Sequence, residues 1–66
     1  MVDLDDVRTQ LRTAADGLAD AAMDTLRAAM RSRDQDEITE LRAKEKRLTR
    51  ARRSVEKAVS LLDGRD

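Results

Sequence analysis

The chain has 66 residues and contains no cysteine, no histidine, no proline and no aromatic residue. These absences exclude the usual zinc sites, haem ligation, thiol nucleophiles and Ser-His-Asp catalysis, so neither a metal nor another cofactor is expected. The 14 basic and 14 acidic residues give a formal net charge of zero, and the chain therefore lacks the overall positive field of a general nucleic-acid binder.

The apolar residues are mostly small. Ten of the 26 are alanine, and the others are eight Leu, four Val, three Met and one Ile. The length allows one domain, predicted to span residues 1–66, and a domain this small usually needs a staple or a partner to be stable. Because the chain has no cysteine with which to form a disulfide, we expect self-association, as a homodimer or a higher homo-oligomer.

Two stretches of the chain have mostly apolar residues at alternating spacings of three and four. The first comprises Leu4, Val7, Leu11, Ala14, Leu18, Ala21, Thr25 and Ala28. The second comprises Ile38, Leu41, Glu45, Leu48, Arg52, Val55, Val59 and Leu62. Four consecutive heptads with apolar a and d positions are typical of a coiled-coil seam, so both stretches are predicted to be amphipathic helices.

Capping signals flank these two stretches. Asp3 is suited to cap the first helix, and Asp34 with Glu37 has the spacing of a capping box in front of the second. Gly64 stands where a left-handed residue would end the second helix. The sequence therefore predicts helix 1 over about 4–31, a turn at about 32–34 and helix 2 over about 35–63.

The predicted fold is all-α: an antiparallel, coiled-coil-like two-helix hairpin that self-associates into a helical bundle, most simply a dimeric four-helix bundle. Two alternatives stay open. The turn contains neither glycine nor proline, so one unbroken helix is an alternative. The pair Asp16–Gly17 is a strong breaker signal and would divide the first helix, giving three helices in all.

Two charged residues, Glu45 and Arg52, interrupt the apolar seam of the second helix. A turn centred near residue 33 predicts layers that pair Leu4 with Leu62, Val7 with Val59, Ala14 with Arg52, and Ala21 with Glu45. A symmetric antiparallel neighbour that packs helix 2 against helix 2 would bring Glu45 of one copy close to Arg52 of the other. We interpret the two residues as a register-setting polar core.

A second apolar row lies beside the seam on helix 1. It consists of Ala19, Met23, Leu26 and Met30, at spacings of 4, 3 and 4. One neighbouring helix cannot cover so wide an apolar arc. The row is therefore the candidate protein interface, for a second copy of the chain or for a helix of another protein, which adaptable methionine side chains suit.

A basic stripe follows one face of helix 2, where it is expected to project away from the seam. It comprises Arg42, Lys46, Arg50, Arg53 and Lys57. Such a stripe indicates a solvated face or contact with an acidic protein, and less favourably a nucleic-acid contact. The chain offers no aromatic side chain to stack on a base, and helix 2 has no asparagine to read one.

An acidic row on helix 1 lies at the same height in the hairpin as the basic stripe. It consists of Asp16, Asp20 and Asp24. Both rows point outward, so they cannot meet within one hairpin but can meet between copies. The three carboxylates diverge along the helix and are a weak set of metal ligands.

The sequence favours a small non-catalytic assembly or adaptor protein that acts through helix–helix contact. The alternative is a nucleic-acid-associated regulatory protein that uses the basic stripe. No residue is predicted to be catalytic, to bind a cofactor or to hold a metal. The acidic start of the sequence and the lack of a long apolar run predict a cytoplasmic protein without a membrane segment.

Overall fold

The computed structural model describes residues 3–64, so the first two and last two residues of the predicted domain lie outside the described range. Helix α1 comprises Leu4–Arg31 and helix α2 comprises Gln35–Leu62, each of 28 residues. The two helices pack antiparallel along their length and give a hairpin of 49 × 20 × 15 Å. The predicted all-α hairpin is confirmed, and the alternative of one unbroken helix is wrong.

Helix α1 continues without interruption through Asp16 and Gly17, so the three-helix alternative is wrong as well. A glycine inside a helix costs about 1 kcal/mol relative to alanine. Packing along the whole of α2 outweighs that local cost, because most helix stability in proteins comes from tertiary contact rather than from propensity.

The turn is formed by side-chain caps instead of by glycine. The Ser32 N–H donates to the Ala28 carbonyl (3.1 Å) and ends α1, and the Asp34 carboxylate accepts from the Asp36 N–H (2.9 Å) and begins α2. The Asp34 half of the predicted capping box is confirmed. Its other half is made by the Ser32 Oγ, which accepts from the Asp34 N–H (3.2 Å), rather than by Glu37. Both capping residues have extended backbone, which any residue adopts, and this explains a tight turn without glycine.

The predicted caps at the other end of the hairpin are confirmed. The Asp3 carboxylate accepts from the Asp5 N–H (2.9 Å). Gly64 has φ +77°, the left-handed conformation expected for a residue just beyond a helix, and its N–H donates to the Leu61 carbonyl (3.1 Å). Both helices therefore start and stop on local signals.

The contact side of α1 is rotated relative to the predicted seam. Ala15, Thr25 and Ala29 are buried, whereas Ala14 is exposed. One row of buried and half-buried positions comprises Leu11, Ala15, Leu18, Ala22, Thr25 and Ala29, and the predicted seam positions Ala21 and Ala28 beside it are half-buried. Leu11, Leu18 and Thr25 belong to the predicted seam as well, but the buried positions between them come one residue later than predicted, at Ala15 and Ala29. The contact side of α1 is therefore rotated by about half of the 100° that separates neighbouring residues. The predicted layer of Ala14 with Arg52 is therefore wrong.

The layer predicted at the open end of the hairpin, where α1 starts and α2 stops, is also not formed. Leu4 is 60% exposed and Leu62 is 37% exposed, so the predicted Leu4–Leu62 layer is wrong. The inward position at this end of α2 belongs instead to Asp63, whose side chain is only 13% exposed.

An ion-pair cluster joins the helices at the open end. The Arg8 Nε lies 2.6 Å from the Asp63 Oδ1, and the Arg12 Nη2 lies 3.8 Å from the Asp63 Oδ2. The Arg8 Nε–H does not point at the carboxylate with hydrogen-bond geometry, so this contact is an ion pair. A carboxylate at a helix C-terminus opposes the helix dipole, and the two guanidinium groups compensate for it.

Gly17 provides the first test of this fold. Nothing lies within 4 Å of the position that a Cβ would take there, so Gly17→Ala should raise the free energy of unfolding by about 0.5–1 kcal/mol. Urea unfolding followed by circular dichroism measures the change. The matched control is Gly64→Ala, which should lose about 1 kcal/mol because its φ is +77°. A loss of stability in Gly17→Ala would contradict the open helix surface described here.

Candidate protein interface

A groove between the helices near the open end shows which residues share one side of the hairpin. It is lined by Arg12, Ala15 and Asp16 of α1 and by Glu56, Val59, Ser60 and Asp63 of α2. Residues seven apart in a helix point in nearly the same direction, because two turns take 7.2 residues. We call the side of the hairpin on which this groove opens the groove side. The residues that continue this side toward the turn are therefore found at steps of seven along each helix.

On α1, these steps lead to the predicted interface residues. Ala19 and Leu26 lie seven and fourteen residues after Arg12, and Met23 and Met30 lie at the same intervals after Asp16. Met23 is 49% exposed and Met30 is 76% exposed, while Ala19 and Leu26 are half-buried. The four residues form an apolar strip on the groove side, called the methionine row below.

On α2, the same steps lead to part of the basic stripe. Arg53 and Lys46 lie seven and fourteen residues before Ser60, and Arg42 lies fourteen before Glu56. All three basic residues are exposed, as are Arg50 and Lys57, which lie farther round α2. The stripe thus divides. Three of its members stand on the groove side next to the methionine row, and the others point more directly away from α1.

Four basic side chains surround a shallow open depression on the surface of α2. It is lined by Ala43, Glu45, Lys46, Arg47, Thr49, Arg50 and Arg53. The basic side chains are exposed, so they can receive carboxylate or phosphate oxygens without losing an internal contact. Arg47, which flanks the basic stripe in the sequence, belongs to this surface as well.

The two charged residues of the predicted polar core are half-buried, and each has a partner on its own helix. The Thr49 hydroxyl donates to the Glu45 Oε1 (2.9 Å), and the Arg52 Nε lies 3.3 Å from the Glu56 Oε1. The Arg52 side chain is 41% exposed. Neither charge is therefore stranded in the single hairpin, and the register-setting role between copies stays a prediction.

The acidic row of α1 is exposed along its length. The Asp24 Oδ1 contacts the Arg27 Nη1 at 3.2 Å, and Asp16 borders the groove. Within residues 3–64, no cluster of three or more His, Cys, Asp or Glu side chains could hold a metal ion. The acidic row thus offers charge for binding a basic surface.

The sequence reasoning missed the cluster of Arg8, Arg12 and Asp63. Its signal was present, since the two arginines stand one turn apart near the start of α1 and the aspartate directly follows the last residue of α2. The predicted Leu4–Leu62 layer filled that end of the hairpin with apolar side chains, and this left no place for an ion pair.

No protein-family model matches the chain, and comparisons with curated proteins and with solved structures give no match either. Within the described range, neither helix has an apolar stretch long enough to cross a membrane. The groove side combines an exposed apolar row on one helix with a basic row on the other.

The local partners of Glu45 and Arg52 predict how these residues respond to substitution. Glu45→Leu, Arg52→Leu and the double variant should change the free energy of unfolding additively, to within about 0.5 kcal/mol, because the two side chains share no contact. Urea unfolding at a low and a high protein concentration measures the cycle. A larger coupling that appears only at high concentration would show that the two residues pair between copies of α2, as the register-setting prediction requires.

Proposed function

We propose that this chain is a small non-catalytic assembly or adaptor protein that acts by helix–helix contact on its groove side. The observation that carries the proposal is the exposed methionine row. Met23 and Met30 are largely uncovered, and Ala19 and Leu26 are only half-buried beside them. Methionine is flexible and polarisable, and it serves well where an apolar surface must fit a partner helix.

The surface area of the hairpin supports the same proposal. The chain exposes 5421 Å², whereas a compact monomer of 7.4 kDa is expected to expose about 4,200 Å². The excess of about 1,200 Å² exceeds the roughly 800 Å² that each partner buries in a standard protein interface. Association through one side of the hairpin would therefore bring its exposure into the usual range.

The apolar core of the hairpin is small. Among residues 3–64, the buried apolar residues are Ala15, Ala29 and Val59, and no large side chain is fully buried. Two helices bury one stripe each, and small side chains along that stripe limit the apolar area removed from water. A helical partner on the groove side adds the second contact surface that a single hairpin cannot supply.

The charged groups near the groove favour a structural role over a chemical one. Arg8 and Arg12 contact Asp63, and Arg52 contacts Glu56. Each of these groups is paired with an opposite charge, and the first three hold the open ends of the helices together. The proposal therefore assigns binding to the groove side and involves no catalytic residue.

Substitution of the methionine row tests the proposal. Met23→Gln with Met30→Gln should abolish association and leave the helix content unchanged, because glutamine is a good helix former of similar size at two exposed positions. The wild type should show an unfolding temperature that rises with protein concentration, and the variant should not. Analytical ultracentrifugation measures the corresponding masses.

The matched control places glutamine at two exposed alanines away from the groove side. Ala14 and Ala51 are exposed, and they lie about 200° round their helices from Arg12 and Arg53. Ala14→Gln with Ala51→Gln should associate as the wild type does. If the methionine variant and this control behave alike, the methionine row is not the contact surface.

The depression on α2 favours nucleic acid as a second candidate partner. Lys46, Arg47, Arg50 and Arg53 surround it, and all are exposed. The aspartates of α1 work against such binding, because they bring negative charge to the same hairpin and leave the formal net charge at zero. Helix–helix assembly is accordingly the function proposed first.

Salt dependence separates the two candidates. If assembly is the function, a labelled DNA or RNA duplex should show little binding by fluorescence anisotropy at about 150 mM salt. A phosphate-binding protein would instead bind measurably, and its binding constant would fall with about the first power of the salt concentration for each phosphate contacted. In that case, changing Lys46, Arg47, Arg50 and Arg53 to glutamine would remove the binding, and the assembly proposal would give way to the nucleic-acid one.

A further inference from the structure

We infer that the partner on the groove side is a second copy of this chain, in a parallel two-fold dimer where α1 of each copy packs against α2 of the other. The inference rests on the proposed helix–helix function and specifies its partner and geometry. It comes from two features of the hairpin: the heights of its opposite charges above the turn, and the side on which its basic residues stand.

The acidic and basic residues match in height. Asp20 and Lys46 each lie eleven residues from the turn-proximal ends of their helices, and Asp16 and Arg50 each lie fifteen. At 1.5 Å per residue, the two pairs stand about 16 and 22 Å above the turn. Within one hairpin, Asp16 borders the groove and Asp20 is exposed farther round α1, so both stand apart from the basic residues of α2. A second hairpin beside the first brings each acid level with a base of the other copy.

The direction of the two-fold axis follows from this match. When the axis is parallel to the helices, both turns lie at the same end, and α1 of one copy faces α2 of the other at equal heights. Asp20 then flanks one edge of the contact and Asp16 lies just inside that edge. Lys46 and Arg50 of the second copy lie along the same edge. The two-fold symmetry repeats this arrangement on the opposite edge. The same match in height therefore places acids beside bases along both edges of the contact.

The other two-fold arrangement through the groove side places α2 against α2, as the register-setting prediction for Glu45 and Arg52 requires. A fully overlapped packing of this kind brings Lys46 of one copy near Arg53 of the other, although it also brings Arg42 near Glu56. Like charges facing one another across an interface are unfavourable, and the remaining contact between the two α1 helices leaves the acidic row without a basic neighbour. Asp16 and Asp20 gain basic neighbours in the arrangement of α1 against α2, and this favours it. The one approach of like charges on the groove side there, Arg12 with Arg53 of the second copy, is offset by Asp63, which pairs with Arg12.

The apolar row is also covered in this dimer. Met23 lies eight residues from the end of α1, a height that falls between those of Arg42 and Lys46 on α2. Long basic side chains lay their methylene stems on apolar surface while the charged ends reach outward. The stems of Arg42 and Lys46 can therefore cover Met23, and the charged group of Lys46 reaches toward the acidic row at the edge.

A pair of charge-reversed variants tests the inference. The first is Asp16→Lys with Asp20→Lys, and the second is Lys46→Glu with Arg50→Glu. Each alone sets like charges against one another in the α1–α2 contact, so its dimer dissociation constant should rise about tenfold or more. An equimolar mixture should form heterodimers. In these, the new lysines on α1 of the first variant face the new glutamates on α2 of the second, and the unchanged acids of the second face the unchanged bases of the first. Ultracentrifugation measures the constants, and native mass spectrometry counts the mixed dimers.

The outcomes separate this inference from the proposed function. Association of the wild type that depends on the methionine row, without rescue in the mixture, would overturn the geometry and leave helix–helix assembly standing. Tighter self-association of the Lys46→Glu, Arg50→Glu variant would favour α2 against α2. A wild type that stays monomeric at several hundred micromolar would overturn self-association and point to a helix of another, acidic protein.

A label at the turn tests the direction independently. The chain has no cysteine, so Arg33→Cys introduces one attachment site for a spin label. In the inferred dimer, the two labels should lie within about 20 Å, since packed helix axes are 8–10 Å apart. A fully overlapped antiparallel dimer would separate them by nearly the 49 Å length of the hairpin. Distances of that length between the labels, measured by double electron–electron resonance, would overturn the parallel arrangement.

Discussion

The contact between the alanine-rich side of α1 and the leucine- and valine-bearing side of α2 supports every other feature of this hairpin. Helices of this length with many charged residues gain most of their stability from packing and little from propensity. Ala15 and Ala29 are buried within that contact, and Val59 is the buried residue of α2. One stripe per helix is in use, so the remaining circumference of each helix is available for binding.

The groove side combines two kinds of interaction that differ in what they provide. In the proposed assembly, apolar contact at Met23 and Leu26 would provide affinity but accept many orientations. Opposite charges add little affinity each when they are exposed, yet they distinguish one orientation from another because the wrong arrangement sets like charges together. A neutral chain with an acidic row on one helix and a basic stripe on the other is suited to such discrimination.

The helix ends were predictable from sequence because their causes are local. Asp34 and Gly64 act on backbone groups a few residues away, and the structure places both as expected. The phase of the seam was not predictable in the same way. Ala14 and Ala15 are adjacent alanines, so composition does not show which one faces α2, and a small rotation of the helix exchanges them.

The candidate surface was predictable as two separate rows and not as one face. Spacing along each helix indicates which residues share a stripe, but it does not show on which side of a hairpin each stripe falls. That depends on how the two helices are rotated relative to each other, which the groove lined by Arg12 and Ser60 reveals. The contact of Arg8 with Asp63 joins residues far apart in sequence and depends on the same rotation.

The side-chain caps of the turn also bear on how the chain reaches its folded state. Ser32 and Asp34 fix the reversal with hydrogen bonds that span only a few residues, so the first contacts between the helices close a very short loop. Each later contact extends the pairing by one turn, at a small entropic cost when its neighbour is already formed. We therefore expect the helices to pair first at the turn and then toward the open end. On that order the ion pairs of Asp63 close last and open first, and amide exchange should be fastest at the open end.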